Sequence, residues 1–253
     1  MTAEKTDTPG TMSLLDHLDE LRSRLFKALA GFMVAFIGCW AIAGRLLEFL
    51  VEPIRKHMFE GGEIVFINMT EPFTIYMKAA ALAALFVSAP WVLYQIWAFV
   101  SPALYPRERR LAMPFMFFGT LFFLAGGWFG YSVATPTAAR WLINLGEAFK
   151  AQITLRSAFG FESWIILGMG LVWELPVLIF FLSRVGLVTP RFLMRHFRTA
   201  VLIIAILAAV LTPTGDIPTM TVFAVPMILL YLLGVLVAWL FGGKPRKARD
   251  GDG

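Results

Sequence analysis

Long apolar runs separated by short polar segments dominate the chain. Several of these runs exceed the roughly 18 apolar residues that mark a helix able to cross a membrane. Six spans are predicted, at about residues 25–43, 73–100, 111–134, 159–183, 199–211 and 219–241. The pattern therefore predicts an all-α membrane protein with six transmembrane helices, of which the fifth and sixth are short.

The length of the fifth and sixth spans leaves two interpretations open. A helix of about 13–17 residues is roughly 20–25 Å long, whereas the hydrocarbon core of a bilayer is about 30 Å thick. The bilayer can thin locally, or neighbouring elements can shield the helix ends. Alternatively, the two helices extend into their polar flanks.

Three prolines mark local features along the helices. Pro90 lies inside the second span, where it predicts a kink. Thr135 precedes Pro136, and Thr189 precedes Pro190. A threonine N-cap followed by proline at the first helical position is a typical helix start. New helices are therefore predicted to begin at these two threonines.

The distribution of charge predicts the orientation of the spans. The chain is 58% hydrophobic and 15% charged, against about 25% charged in an average soluble domain. The two termini and the loops on the same side hold 15 of the 22 Lys and Arg residues, if the N-terminal segment is taken to end at Lys27. The opposite loops hold six, and Lys78 lies in the second predicted span. The positive-inside rule places both termini in the cytoplasm. Residues 1–12 and 242–253 are predicted to be cytoplasmic tails, the first of them flexible and the second basic, on either side of a membrane domain at 13–241.

Several classes of function have no support in the sequence. The chain contains no GxSxG or HExxH motif, so the usual active-site motifs of a serine or zinc hydrolase are missing. It contains no GxxxxGK[ST] motif either, so it has no nucleotide-binding loop of the kind that drives a pump. All three histidines lie outside the predicted spans, so a bis-histidine haem within the membrane is not expected. The chain is predicted to be neither an enzyme nor a nucleic-acid-binding protein, and no metal or cofactor is predicted.

Two carboxylates lie on the predicted cytoplasmic side. Glu20 belongs to an amphipathic segment that leads into the first span, and Glu108 belongs to the sequence PRERR. Each is either a site that accepts an arginine fork or an ordinary partner of nearby basic residues. For Glu20, the ordinary partner is Arg24 at i+4, which in solvent is worth only about 0.3–0.5 kcal/mol. From residue types alone the ordinary pair is favoured, although two carboxylates on one side would suit a ligand with adjacent positive charges.

Two further acids lie in or between the later spans. Glu174 is predicted near the middle of the fourth span, where a charge costs at least about 2.5 kcal/mol. It is either a functional carboxyl, for example the proton carrier of a proton-coupled small-molecule transporter, or a neutral acid bonded to a backbone carbonyl near Pro176. Asp216 is interpreted as a turn residue before Pro218.

Five motifs carry a resemblance to a known family. They are HLDELRSRL at 17–25, EPF at 71–73, SAPWVLYQIWAFVSPALYPRERR at 88–110, ELP at 174–176, and LTP followed by Asp216 at 211–216. Together they resemble the TatC subunit of the twin-arginine protein translocase, which exports proteins independently of the Sec pathway. The resemblance covers about residues 13–241 and implies a cup-shaped bundle in a bacterial inner membrane, with both termini cytoplasmic.

The resemblance also implies a function and a set of site residues. The family recognises folded precursor proteins by a signal peptide with two adjacent arginines, which Glu20 and Glu108 would bind. The surrounding site would be built by Arg22, Arg24, Phe99, Arg109 and Arg110. The implied partners are single-span TatA-type and TatB-type subunits, the lipid bilayer and further copies of the chain in a larger complex, and the implied energy source is the proton-motive force.

Other positions fall on family motifs away from that site. They are Pro53 in the first external loop, Glu174 in the fourth span and Asp216 in the last external loop. Met220 stands where the family usually carries glutamine, so Thr212 is the polar residue that remains of a partner-docking site on spans 5 and 6.

Overall fold

The protein is a helical bundle with a small cap at one end. The computed structural model describes residues 14–58, 63–100, 112–146, 152–212 and 215–241. The helices are α1 (Leu14–Trp40), α2 (Ala43–Arg55), α3 (Glu71–Val100), α4 (Ala112–Phe129), α5 (Thr135–Leu145), α6 (Leu155–Trp173), α7 (Leu175–Arg184), α8 (Pro190–Arg195), α9 (Phe197–Leu211) and α10 (Ile217–Phe241). A π-helical segment, Gly130–Ala134, joins α4 to α5. The strands β1 (Ile64–Val65) and β2 (Ile153–Thr154) form a parallel pair, which the all-α prediction did not include.

Five helical stretches in the described part of the chain are long and apolar enough to cross a membrane. They are His17–Trp40, Glu71–Val100, Met113–Leu145, Leu155–Arg184 and Ile217–Phe241. Many of their large apolar side chains are exposed, as on α1, where Leu25, Val34 and Ile37 point outward. An exposed apolar surface of this extent suits a lipid environment.

The two predicted short spans have different outcomes. Helix α9 has 15 residues, about 22 Å at 1.5 Å per residue, so the helix at the position of the predicted fifth span is short. Helix α10 has 25 residues, about 37 Å, so the prediction of a short sixth span is wrong. The Asp216 carboxylate accepts the Thr219 N–H at 2.8 Å and caps α10. The helix therefore begins at the polar flank, and Pro218 is accommodated in its first turn.

Helix α1 packs on α3, α3 packs on α4, and α4 packs on α6. Helix α10 packs on α7, which follows α6, and on α9. Gly31 of α1 makes room for a side chain of α3, because a Cβ placed there would overlap the ring of Trp91. The Trp91 indole then donates to the backbone oxygen of Lys27 at 2.8 Å. Helix α3 continues through Pro90 as one helix.

One end of the bundle is covered by a cap, defined here as α2, α5 and the β1–β2 pair. Its core joins Ile54 of α2, Ala139 and Ile143 of α5, and Ala158 of α6. The opposite end, where α1 starts and α3 and α10 finish, is called the N-terminal end.

The two predicted helix starts at threonine have opposite outcomes. Thr189 is the N-cap of α8, and its side chain accepts the Phe192 N–H at 3.2 Å, as predicted. Helix α5 does begin at Thr135, but the prediction that Thr135 is an N-cap is wrong, because the π-helical segment precedes it directly and Ala134 is in the αR conformation. The π-helical segment carries the helix without a break from α4 into the cap.

Candidate functional site

Glu20 lies on α1 at the N-terminal end and is mostly buried. Its Oε1 accepts a hydrogen bond from Nη2 of Arg24 at 3.4 Å, with 18% of the Glu20 side chain exposed. The i,i+4 pair foreseen from the sequence is therefore formed. Its Oε2 is buried and has no hydrogen-bond partner among the described residues. One carboxylate oxygen thus remains able to accept a further donor.

Aromatic rings bring the end of α3 beside the start of α1. The ring of Phe99 stacks on His17, with 4.5 Å between the ring centroids. His17 precedes Glu20 by three residues, so the two share one face of α1. The structure thereby places the predicted site residue Phe99 in the same region as Glu20.

The remaining predicted arginine-site residues fall into two groups. Arg22 is exposed, and its guanidinium carbon lies 5.8 Å from the centroid of the Phe26 ring. Glu108, Arg109 and Arg110 lie outside the described residues. The described part of α3 ends at Val100, directly after Phe99.

Glu174 lies where the fourth predicted span is interrupted. It is the single residue between α6 and α7, and Pro176 cannot donate a backbone hydrogen bond at this point. A Cβ placed at Gly119 of α4 would lie 3.4 Å from Oε2 of Glu174, so the carboxyl packs against that glycine. Oε1 has no hydrogen-bond partner among the described residues.

An apolar groove lies between α4, α7 and α10. It has a volume of about 500 Å³ and is lined by Pro114, Phe118, Phe122, Pro176, Val177, Phe180, Leu233, Val237 and Phe241. Pro114 lies in the first turn of α4, close to the N-terminal end, and Pro176 follows Glu174 by two residues. The groove therefore connects that end with the level of Glu174.

The predicted partner-docking residues lie around the connection between α9 and α10. Thr212 is buried, and its hydroxyl donates to the backbone oxygen of Ala208 at 2.7 Å. Met220 is partly buried against the large core of α6, α7, α9 and α10. The Met220 N–H donates to the backbone oxygen of Asp216 at 2.9 Å, in the first turn of α10.

Pro53 lies in the segment between the first two predicted spans. It is buried inside α2, because this segment folds into an amphipathic cap helix. The backbone oxygen of Pro53 accepts a hydrogen bond from Nδ1 of His57 at 2.8 Å. Nε2 of the same ring lies 3.2 Å from Nη2 of Arg140 on α5, which joins the two cap helices.

Glu71 has a structural role that the EPF motif alone did not indicate. Its Oε1 accepts the Arg156 N–H at 2.8 Å, and its Oε2 accepts the Ile67 N–H at 3.1 Å and the Asn68 N–H at 3.5 Å. The carboxylate therefore satisfies unpaired donors in the first turn of α6 and holds the loop that follows β1.

Glu162 is the acid that the sequence interpretation missed. It lies on α6, within one of the apolar stretches, and none of its surface is exposed. Neither carboxyl oxygen has a hydrogen-bond partner among the described residues. The available signal was a second glutamate within the predicted fourth span, since ionisable residues there are rare and costly.

The apolar helices define the class of protein. A bundle with five helical stretches long and apolar enough to cross a membrane in its described part, one shorter apolar helix and a small cap is a multi-pass membrane protein. The family model for the Sec-independent protein translocase protein (TatC) matches residues 16–226. The chain belongs to the TatC family.

Individual relatives and solved structures agree with that assignment. The chain is 43% identical over 241 residues to a Sec-independent protein translocase protein TatC from Koribacter versatilis, covering 94% of this chain and 89% of the relative. It is 37% identical over 242 residues to the TatC protein of Campylobacter jejuni, covering 94% and 98%. A crystal structure of the twin arginine translocase receptor TatC matches with a TM-score of 0.77 and 27% identity, covering 88% of this chain and 98% of that one. A second, obtained in the detergent DDM, matches with a TM-score of 0.79.

Proposed function

We propose that this protein is the receptor subunit of a twin-arginine translocase and that Glu20 and Glu108 bind the two arginines of the signal peptide. The observation that carries the proposal is the Glu20 carboxylate, one oxygen of which is buried and unpaired among the described residues. An unpaired acceptor at the rim of an apolar bundle favours a charged donor that arrives from outside the chain. Family membership makes a signal peptide the natural source of that donor.

The neighbourhood of Glu20 supports the choice of an arginine ligand. Arg24 already holds Oε1 at 3.4 Å, which is a weak contact. An arriving guanidinium could therefore occupy Oε2 or displace Arg24. The stack of Phe99 on His17 offers flat rings beside the carboxylate, and guanidinium groups pack well on such faces.

The groove between α4, α7 and α10 supports a path for the apolar part of the signal peptide. Its lining is almost wholly apolar, with Phe118, Phe122 and Phe180 among its walls. The groove starts at the first turn of α4, where Pro114 lies, and reaches the level of Glu174. In this proposal the arginines remain at the rim while the apolar region enters the groove.

The remaining assignments complete the proposed function. Both termini are cytoplasmic in a bacterial inner membrane, so the N-terminal end faces the cytoplasm and the cap faces outward, and α9 serves as a sixth, short crossing. TatA-type and TatB-type subunits dock near Thr212 and Met220, and export uses the proton-motive force. A transporter role with Glu174 as proton carrier is less well supported, since the relatives are translocase proteins.

Photocrosslinking tests the site assignment. A photoreactive residue placed at Leu21, which is exposed beside Glu20, is irradiated in membranes with a signal peptide that carries two arginines. Glu20→Gln and Glu108→Gln should each reduce the crosslink yield at subsaturating peptide about tenfold, because a charge-assisted hydrogen bond is worth about 1.5–3 kcal/mol. Both variants should still insert into the membrane.

A neighbouring acid provides the matched control. Asp19 is exposed on the same helix, and Asp19→Asn removes the same charge without touching the proposed site. Its crosslink yield should remain close to that of the unmodified protein. Equal crosslinking by the Glu20→Gln, Glu108→Gln double variant and the unmodified protein would refute the assignment.

A further inference from the structure

Glu162 lies in an apolar environment on α6. Its neighbours at i−4, i−3, i+3 and i+4 are Ala158, Phe159, Ile165 and Ile166, and all four are buried. Both carboxyl oxygens are buried without a hydrogen-bond partner among the described residues. A carboxylate with no partner is far more costly in such a place than a neutral acid.

The polar group beside Glu162 comes from the break in helix geometry. The Thr135 side chain interacts with the Glu162 carboxyl, but Thr135 Oγ1 is also without a hydrogen bond of good geometry. Thr135 follows the π-helical segment, whose Gly130 packs so tightly on α6 that a Cβ there would lie 3.0 Å from Cα of Ile166. Single π-helical turns of this kind occur frequently at functional sites.

Charged groups of the described residues do not neutralise Glu162. The titratable side chain that interacts with it electrostatically is Tyr131 of the π-helical segment, and Glu52 of α2 acts on that same tyrosine. Glu71 of α3 lies further out, where it binds the Arg156 N–H at the start of α6. No cation from α2, α3, α4, α5 or α10 is paired with Glu162 in the described part of the chain.

We propose that Glu162 is a proton-binding site beneath the cap and that its protonation keeps the cap packed on the bundle. With the proton bound, the carboxyl is neutral, can donate to Thr135 Oγ1 and tolerates its apolar neighbours. Loss of the proton leaves a buried carboxylate that must recruit water. A cavity of about 190 Å³ lies between α2, α5 and α6, and its lining includes Ile54, Ala139 and Ala158. Ala158 is one helical turn from Glu162, so we expect the cap to open at this cavity.

The labelling of a cap cysteine tests this proposal, which does not depend on the signal-peptide site. Cys39 is replaced by alanine and Ala139, which is buried in the cap core, by cysteine. The purified full chain in detergent is treated with a maleimide between about pH 6 and pH 10. Each rate is divided by that of the same protein in denaturing detergent at the same pH, which removes the thiol's own pH dependence. The ratio should rise about tenfold at alkaline pH, because opening exposes the core.

Three variants separate this site from a general effect of pH. Glu162→Gln has no ionisable group and should keep the ratio low throughout. Glu162→Met, which is apolar and similar in size, should do the same and serves where the amide variant does not fold. Glu48→Gln removes an exposed acid from α2 and should follow the parent protein. A ratio that does not rise with pH in the parent, or that rises equally in the folded Glu162 variants, would overturn the proposal.

Discussion

The carboxylate of Glu71 fastens the start of α6 to the loop that follows β1, and its removal should destabilise the cap. The side chain accepts two backbone N–H groups at 2.8 and 3.1 Å and a third, weaker one at 3.5 Å. A hydrogen bond to a charged group is worth about 1.5–3 kcal/mol. Taking the low value for the two short bonds and nothing for the third, we expect Glu71→Ala to cost about 3 kcal/mol.

The loss should be visible both globally and locally. For a chain of this size, about 1 kcal/mol corresponds to roughly 2–4 °C in Tm, so thermal unfolding in a mild detergent should shift downward by about 6–12 °C. Hydrogen exchange measured by mass spectrometry should accelerate first in peptides that contain Ile67 and Arg156, whose N–H groups lose their acceptor. Peptides from α9 should exchange as before.

Two further variants calibrate the Glu71 effect. Glu71→Gln retains one carbonyl oxygen and loses the charge, so its destabilisation should be about half that of Glu71→Ala. Glu63→Ala removes an exposed acid on the same side of the bundle and should leave Tm unchanged. The reasoning is wrong if Glu71→Ala and Glu63→Ala shift Tm equally.

Two glycines provide further tests of helix packing. Gly31→Ala should lower Tm by an amount that corresponds to about 1–3 kcal/mol, because its Cβ would meet the Trp91 ring. Gly38→Ala on the same helix is the control, since its Cβ would meet nothing within 4 Å and should not lower Tm. Gly126→Ala should cost more than Gly31→Ala, because its Cβ would lie 2.6 Å from a backbone oxygen of α6 that cannot rotate away, and Gly160→Ala is its open-space control. Thermal unfolding of each pair in one detergent measures both differences, and equal Tm values within a pair would contradict the packing.

Sequence patterns predicted the membrane class and the general course of the helices well, because apolar run length is a direct consequence of bilayer thickness. They also predicted the i,i+4 contact between Glu20 and Arg24, which depends only on helix periodicity. They did not predict the unpaired state of the second Glu20 oxygen. That property depends on which side chains cover α1, and therefore on tertiary packing.

The error at Thr135 and the omission of Glu162 have a common physical origin. Threonine followed by proline is a sound signal for a helix start in a soluble loop. Here the π-helical segment lets the helix continue, so the Thr135 hydroxyl is buried instead of capping a free end. It is buried beside Glu162, on an element far away in sequence. A pattern read along one segment cannot show that two polar residues from different helices meet.

The corrected length of α10 has a similar local cause. Asp216 was interpreted as a turn residue, but its carboxylate caps a helix that incorporates Pro218. An N-cap and a turn use the same side-chain chemistry, and only the backbone that follows distinguishes them. Helix α9 has no comparable extension and ends at Leu211. The hydroxyl of Thr212, the next residue, donates to the backbone oxygen of Ala208 in the last turn.

Glu162 and Glu174 illustrate how this bundle accommodates acids among its apolar helices. They lie 12 positions apart, about 18 Å along a helix, so they do not share a hydrogen bond or a water-sized space. Each lies where regular helix geometry fails, Glu162 against the π-helical segment and Glu174 at the break before Pro176. Irregular backbone inside a membrane is tolerated only where it is covered by protein or lines a cavity. The two breaks therefore mark separate polar sites, one under the cap and one beside the apolar groove, and a change at one should leave the geometry of the other intact.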